Sequence, residues 1–182
     1  MHERAPGRAR VWARTRARAR ARARGDAGAS LVEFALVLPL FMMLLLGMFT
    51  GGLAYSRKLA VSQATREGAR YGATLPLSAE STLDLWLQRE SDVAVASSDG
   101  DLSTSASGMQ VCVAYVPGSG TPRRIQRVGV STFFSNATCF TDGRSGESRV
   151  QVVGSRSSEL EALVWSRDLT LSSRAVARFE AE

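Results

Sequence analysis

The longest apolar run of the chain is GASLVEFALVLPLFMMLLLG, residues 28–47, and it continues with few interruptions to Tyr55. From Phe34 to Tyr55 the sequence contains no charged residue. A helix of about 20 residues is roughly 30 Å long, which matches the hydrocarbon core of a bilayer. The pattern therefore predicts a transmembrane helix over Phe34 to Tyr55, within which Pro39 removes one backbone hydrogen-bond donor.

Helical periodicity continues beyond the apolar run, through residues 56–74, until Pro76 ends it. Ala60, Ala64 and Gly68 recur at every fourth position. Such a stripe of small residues lets another helix approach closely. It suits bundling with helices of other molecules, and it equally suits a helix that packs on its own domain.

Both helical and strand periodicity occur after Pro76. An apolar face at helical spacing, which includes Trp86 and Glu90, predicts a second helix within residues 79–95. Alternating patterns predict strands over residues 109–116, 149–154 and 167–180. A short helix is predicted over residues 157–165. The predicted fold class is α+β: a long N-terminal helical spine followed by a small head, in which a helix packs against an antiparallel sheet.

Positive charge is concentrated at the N-terminus. Residues 1–26 hold nine Arg against Glu3 and Asp26, a net charge of +7, whereas the remaining residues hold 14 basic and 15 acidic side chains. The Arg-rich flank predicts that the N-terminus stays in the cytoplasm and that the chain after Tyr55 lies outside. A nucleic-acid-binding domain would carry its positive charge on the folded surface, so this distribution argues against nucleic acid as a partner.

These patterns divide the chain into a leader over residues 1–28, a transmembrane and extended helix over 29–75, and an extracytoplasmic α+β domain over 76–182. The leader is expected to be disordered, because its repeating Arg-Ala sequence lacks the residues that favour a strand. Both cysteines, Cys112 and Cys139, lie in the part predicted to be exported, where an oxidising compartment would let them form a disulfide. The alternative is a pair of buried free thiols.

Candidate catalytic residues are scarce. His2 is the only histidine and lies in the N-terminal tail, so a Ser-His or Cys-His pair is excluded from the exported domain. Two Cys without a nearby His supply too few ligands for zinc. Asp99 and Asp101 lie in a Gly/Ser-rich segment, where solvated loop charges are expected. The sequence therefore predicts a protein without enzymatic activity, cofactor or metal.

Glu33 stands near the start of the membrane-length run, where a charge needs either the water boundary or a partner. Ser30 and Glu33 have the S-x-x-E spacing of a capping box, which is one interpretation. In the other, a cut after Gly28 makes Ala29 the new N-terminus. The amine of Ala29 and the carboxylate of Glu33 would then compensate each other, within one chain or between packed neighbours.

Gly28 is followed by four residues and then by Glu33, at the start of the apolar helix. This spacing resembles the processing signature of type IV prepilins. Together with QATREGARYGA at 63–73 and LTLSSRAVARFE at 169–180, this segment resembles the TadE-like pseudopilins of tight-adherence (type IVc) pilus systems. The resemblance implies that a prepilin peptidase cuts between Gly28 and Ala29. It also implies that Glu33 guides assembly by pairing with the new amine of a neighbouring subunit.

The resemblance further implies a single-pass protein of the cytoplasmic membrane whose partners are the prepilin peptidase, other pilin or pseudopilin subunits and the pilus assembly platform. Phe34 stands where major pilins of this class often have tyrosine, which favours a minor pseudopilin. A different class remains open: a membrane-anchored or secreted binding domain with no role in a filament. The small-x-small pattern Gly52-Leu53-Ala54 would permit a signal peptidase to cut after Ala54.

Overall fold

A computed structural model describes the backbone of residues 7–162 and 165–180 and the side chains of residues 28–159 and 166–180. In chain order, the elements are α1 (Gly7–Thr74), a short 3-10 helix (Leu77–Ala79), α2 (Leu83–Ala96), β1 (Gln110–Val116), β2 (Arg123–Val128), β3 (Ser131–Ser135), β4 (Arg149–Ala162) and β5 (Trp165–Arg178). The strands form one antiparallel sheet in the order β3-β2-β1-β4-β5. The predicted α+β class is confirmed.

The side chains of α1 change from fully exposed to half-buried along the helix. All side chains from residue 28 to residue 49 are exposed, although most of them are apolar. From Ala54 onward one face is buried, including Val61, Ala64 and Ala69. The helix over Gly28–Thr74 is long and apolar enough to cross a membrane, which is consistent with a single-pass membrane protein.

α1 begins at Gly7, so the backbone of residues 7–28 is helical. Arg and Ala are both strong helix formers, a property that an argument from strand propensity leaves out. The apolar helix that follows provides a formed end on which these residues can extend at no nucleation cost. Residues 1–6 lie outside the described residues.

The stripe of small residues on α1 packs against α2 of the same domain. An added Cβ at Gly68 would lie 2.9 Å from the Cβ of Ala94, and one at Gly72 would lie 2.7 Å from the carboxyl carbon of Glu90. At Gly68 the helices are too close for a side chain unless they shift, whereas at Gly72 an added side chain would have to displace the carboxyl end of Glu90. Of the two interpretations of this stripe, packing within the domain is the one observed.

α1 also approaches the sheet closely, at Gly154 of β4. An added Cβ there would lie 3.1 Å from Thr65 and from Leu102, and 3.3 Å from Val61. These three neighbours are fully buried, and they join the core that α2 and the inner strands complete. Gly154 is thus the point at which the helix meets the sheet.

Three hydrogen bonds join α1 to β5 and to Glu180, which lies two residues beyond the end of β5. The pairs are Lys58 Nζ to Ser172 O, Thr65 Oγ1 to Ser173 Oγ (3.0 Å) and Glu180 N to Ala73 O (3.0 Å). The first of these lies nearest the exposed apolar part of α1, and the last lies at the end of the helix.

α2 confirms the second predicted helix. It begins at Leu83 because the side chain of Thr82 accepts a hydrogen bond from the amide of Leu85 at 3.3 Å. Trp86 on its buried face packs edge-to-face on Tyr115 and on Phe179, with ring centroids 6.1 and 6.3 Å apart. This aromatic cluster ties α2 to β1 and to the residue that follows β5.

The short helix predicted over residues 157–165 is wrong. β4 continues to Ala162, β5 begins at Trp165, and the two strands pair in register from Arg149↔Arg178 to Ala162↔Trp165. Leu163 and Val164 lie outside the described residues. The cross-strand pairing of two 14-residue strands outweighs the helical preference of the sequence ELEAL, because intrinsic propensity is a weak prior.

Strands β2 and β3 were not predicted from the sequence. β2 contains three arginines and one buried residue, Ile125, so its apolar alternation is faint. The connection between them is two residues long, and Gly129 adopts a φ of 57° there, in the left-handed region that glycine tolerates. Turn chemistry, and not hydrophobic alternation, was the available signal for this hairpin.

The loop before β4 is fastened to the sheet by a disulfide and an ion pair. Cys112 and Cys139 are joined, with their Cα atoms 5.9 Å apart. Arg149 holds Asp142 through two hydrogen bonds of 2.7 and 2.9 Å, and Gln151 donates to the same carboxylate at 3.0 Å. Burial alone would raise the pKa of Asp142, but the hydrogen bonds from Arg149 and Gln151 outweigh it and lower the pKa to about 2.

The substitution Gly154→Val is expected to lower the free energy of unfolding by about 1–3 kcal/mol, because the added side chain must push α1 away from β4. Urea denaturation of the full chain in detergent micelles measures this loss. Ser172→Val, on an exposed position of β5, is the control and should change stability little. Equal losses in the two variants would contradict the close contact at Gly154.

Candidate assembly site and buried carboxylate

Gly28, Ala29 and Glu33 lie on the exposed N-terminal part of α1. An added Cβ at Gly28 would meet no atom within 4 Å beyond the neighbouring backbone of its own helix. The peptide bond between Gly28 and Ala29 is therefore not shielded by other parts of the described chain. A side chain can be introduced at Gly28 without a clash.

Ser30 and Glu33 lie one turn apart in the interior of α1, because the helix begins at Gly7. Amides in a helix interior already donate to the preceding turn, so the S-x-x-E spacing caps no helix start in the full-length chain. A helix start arises here only if residues 1–28 are removed. Within the helix that begins at Gly7, the capping interpretation of Glu33 has no helix start on which to act.

Glu90 is the second unusual carboxylate. Its side chain is fully buried between α2 and α1, and neither carboxylate oxygen has a hydrogen-bond partner among the described residues. The carboxylate faces Gly72, where any Cβ would collide with it. The absence of a side chain at Gly72 is what makes room for this group.

Burial raises the pKa of Glu90 from its ordinary value of 4.5 to about 8, and the nearby backbone of Gly72 offsets only part of this effect. At pH 7 the group is therefore mostly protonated, which explains how a carboxyl is tolerated without a cationic partner. At pH 7 the folded state keeps this proton whereas the unfolded state releases it. The free energy of unfolding is therefore roughly 3 kcal/mol lower at pH 7 than in acidic solution.

A family model described as TadE-like protein matches residues 28–70. This part of the chain, called the TadE-like segment below, is similar to that family. No curated protein and no solved structure significantly matches the chain. The TadE-like segment begins at Gly28 and contains Glu33 and the exposed apolar part of α1. It also includes the stripe of small residues, of which Gly68 is the last.

The other residues singled out from the sequence lie in different places. The Cys112–Cys139 disulfide belongs to the sheet, outside the TadE-like segment. Ala54, the alternative signal-peptidase position, is inside α1 and only 8% exposed.

Asp101 is not a solvated loop charge as predicted, because it pairs with Arg156 of β4, whereas Asp99 is exposed. No group of three His, Cys, Asp or Glu side chains that could hold a metal occurs within the described residues.

Sequence reasoning placed Glu90 on the apolar face of α2 but did not recognise it as a site. The available signal was an acidic residue one turn after Trp86, at a position where the periodicity demands an apolar side chain. Its neighbour Gly72 lies just beyond the TadE-like segment, on α1. Their contact is long-range, so only the folded structure brings them together.

The stability of the chain is expected to fall on both sides of about pH 4–5. The raised pKa of Glu90 contributes stability that is fully present below pH 4.5 and is lost as the pH rises towards about 8. The lowered pKa of Asp142 contributes stability that is present above pH 3.8 and is lost as the pH falls through about 2. Urea midpoints measured from pH 2 to pH 9 in nonionic micelles give both slopes.

Glu90→Gln should remove the slope between pH 5 and pH 8 and leave the acidic slope unchanged, since an amide does not titrate. Glu147→Gln, which changes an exposed carboxylate, is the matched control and should behave as the unmodified chain. A Glu90→Gln variant that retains the full slope would show that another group is responsible.

Proposed function

We propose that this chain is a minor pseudopilin, a structural pilus assembly protein of a tight-adherence system. A prepilin peptidase cuts it between Gly28 and Ala29, and α1 holds it in the cytoplasmic membrane before assembly. The observation that carries the proposal is that the TadE-like match begins at Gly28, with Glu33 at the fifth position after it on an exposed apolar helix.

The exposed apolar surface of residues 28–49 of α1 supports the proposal that this segment does not lie in water. From residue 28 to residue 49 no described side chain is buried, and large apolar ones such as Leu36 and Met48 are 74% and 69% exposed. A soluble monomer rarely leaves so much apolar surface in water. In this proposal, lipid covers the surface before assembly, and the helices of other subunits cover it afterwards.

Orientation is inferred from charge and from the cysteines. The Arg-rich flank favours a cytoplasmic N-terminus, and a disulfide between Cys112 and Cys139 suits a head on the oxidising side of the membrane. The proposed role is structural and not enzymatic. Its proposed partners are the peptidase, other pilin or pseudopilin subunits and the assembly platform.

A reporter enzyme that is active only outside the cytoplasm should be active when it is fused after Glu182. The same reporter fused after Asp26, before the apolar run, is the control and should be inactive. Activity solely from a cytoplasmic reporter at Glu182 would contradict the proposed orientation.

Gly28→Phe should leave the leader attached, because a peptidase must bring its catalytic groups close to this backbone and only glycine lacks a Cβ. Mass spectrometry of the protein from its native host identifies the N-terminal residue. The added side chain meets open space on α1, so an uncut chain would report failed recognition and not misfolding. A mature N-terminus other than Ala29 in the unmodified protein would refute the proposed cut.

Glu33→Ala should leave the cut intact and reduce incorporation into the assembly by about tenfold or more, because the new amine of Ala29 loses its compensating carboxylate. Cross-linking to other pilus subunits in the native host measures incorporation. Glu67→Ala, an exposed acidic position on the same helix, is the control. If Glu33→Ala is incorporated normally, the assembly role of this glutamate is wrong.

A further inference from the structure

Exposed apolar side chains beyond α1 are concentrated on the β2–β3 hairpin. Among the described residues that follow α1, the large apolar side chains that remain well exposed are Leu85, Val128, Val130 and Phe133. All except Leu85 belong to the hairpin. Val130, in the turn, is 88% exposed, and Phe133, at the centre of β3, is 57% exposed. Apolar surface therefore gathers at one edge of the sheet.

That edge is formed by β3, which pairs only with β2 in the part of the chain that the structure describes. Its sequence, STFFS, contains no charged residue and no proline. The strand at the opposite edge, β5, contains the charged residues Arg167, Asp168, Arg174 and Arg178. Charges and prolines are the usual protection of an exposed edge against pairing with another chain, so β3 is an unprotected edge.

Backbone hydrogen bonds of β2 alternate between its two neighbouring strands. Gly129 N donates to Met109 O at 3.1 Å, at the end of the β1–β2 ladder. Successive residues of a strand direct their N–H and C=O groups to opposite sides. Since Gly129 is directed to β1, Val128 and Gln126 are directed to β3.

The outer edge of β3 carries free backbone groups. Gln126 is opposite Phe133 in the register, so the backbone of Phe133 is bonded to β2. Thr132 and Phe134, on either side of it, therefore direct their N–H and C=O groups to the outer edge. Neither residue has a backbone hydrogen-bond partner there among the described residues. The edge presents free donors and acceptors to a further strand.

We propose that two copies of this chain pair antiparallel through β3, about a two-fold axis at Phe133. In this register Thr132 of each copy is opposite Phe134 of the other, so the outward groups of the two strands meet and exchange hydrogen bonds. Phe133 is opposite its counterpart in the other copy. This central pair has no backbone hydrogen bonds, and it is in such pairs that side chains approach most closely.

The sequence of β3 favours a second copy as the occupant. STFFS reads almost the same in both directions, so that Ser131 is opposite Ser135 and the two aromatic rings at the axis are opposite each other. No like charges face each other across the pair. A five-residue strand buries little surface, which places the contact among weak interfaces of less than about 1,200 Å². Two chains anchored in one membrane, as proposed above, meet at a high effective concentration that compensates for this weakness.

The twist of the sheet makes the pairing compatible with a shared membrane. The hydrogen bonds Lys58–Ser172 and Ala73–Glu180 are separated by about 22 Å of helix and about 26 Å of extended chain, so β5 runs roughly along α1. Adjacent strands turn by about 20–25°, and β3 is four strands away, so it crosses this direction at roughly a right angle. A two-fold axis perpendicular to the sheet at β3 then lies roughly along residues 58–73 of α1, and these helices point the same way in both copies.

Disulfide trapping of Phe133→Cys in the full chain in nonionic micelles tests the register. The opposed Cα atoms would be about 4.5 Å apart, within reach of a disulfide. Val130→Cys is the matched control, because residue 130 is more exposed but the register separates its two copies by about 20 Å. Phe133→Cys should form the covalent dimer at least about tenfold faster than Val130→Cys on a non-reducing gel.

Sedimentation equilibrium of the full chain in density-matched micelles measures the non-covalent dimer. Thr132→Pro removes an outward N–H that takes no part in the sheet of a single chain, so the variant keeps its own fold. Its dimerisation should be about tenfold weaker or more. Thr132→Val retains this N–H and should dimerise as the unmodified chain does.

A chain that stays monomeric at every concentration would overturn the proposal. So would a Thr132→Pro variant that dimerises normally, or a Val130→Cys variant that cross-links as fast as Phe133→Cys. Cross-linking of Phe133→Cys in the native host to a different protein, and not to itself, would overturn the second copy as the occupant. None of these measurements depends on the cut after Gly28, so their failure would leave the proposed function standing.

Discussion

The close approach of α1 to α2 and to β4 is the constraint on which the head depends. Gly68, Gly72 and Gly154 lie at the points of contact, where an added Cβ would come within 2.9, 2.7 and 3.1 Å of the nearest neighbouring atom. Val61 and Ala64 of α1 enter the core only because these glycines bring the backbones together. The same face of α1 therefore cannot pack on a helix of another molecule while it packs on the head.

This constraint accounts for the buried carboxylate of Glu90. A helix contact made of small residues leaves a shallow space opposite Gly72, and the side chain of Glu90 fills it. The protonated group packs as a neutral side chain, whereas the ionised one would have no solvent and no cation of the described residues beside it. Helix packing and pH sensitivity are thus two results of one contact.

Local signals in the sequence were sufficient for α1 beyond residue 28, for α2, for β1 and for the TadE-like resemblance of residues 28–70, since each depends on periodicity or short-range spacing. They were insufficient where distant segments decide the structure. Residues 157–162 are a strand because β5 pairs with them, and Arg57 meets Ser158 only after the sheet has formed.

The three hydrogen bonds from α1 to Ser172, Ser173 and Glu180 have a mechanical consequence. They are spread along the helix from Lys58 to Ala73, which corresponds to about 22 Å of rise. A pull along the axis of α1 is therefore shared by contacts at both ends of this stretch of the helix. A head attached in this way resists detachment from its own helix best when tension acts along that helix.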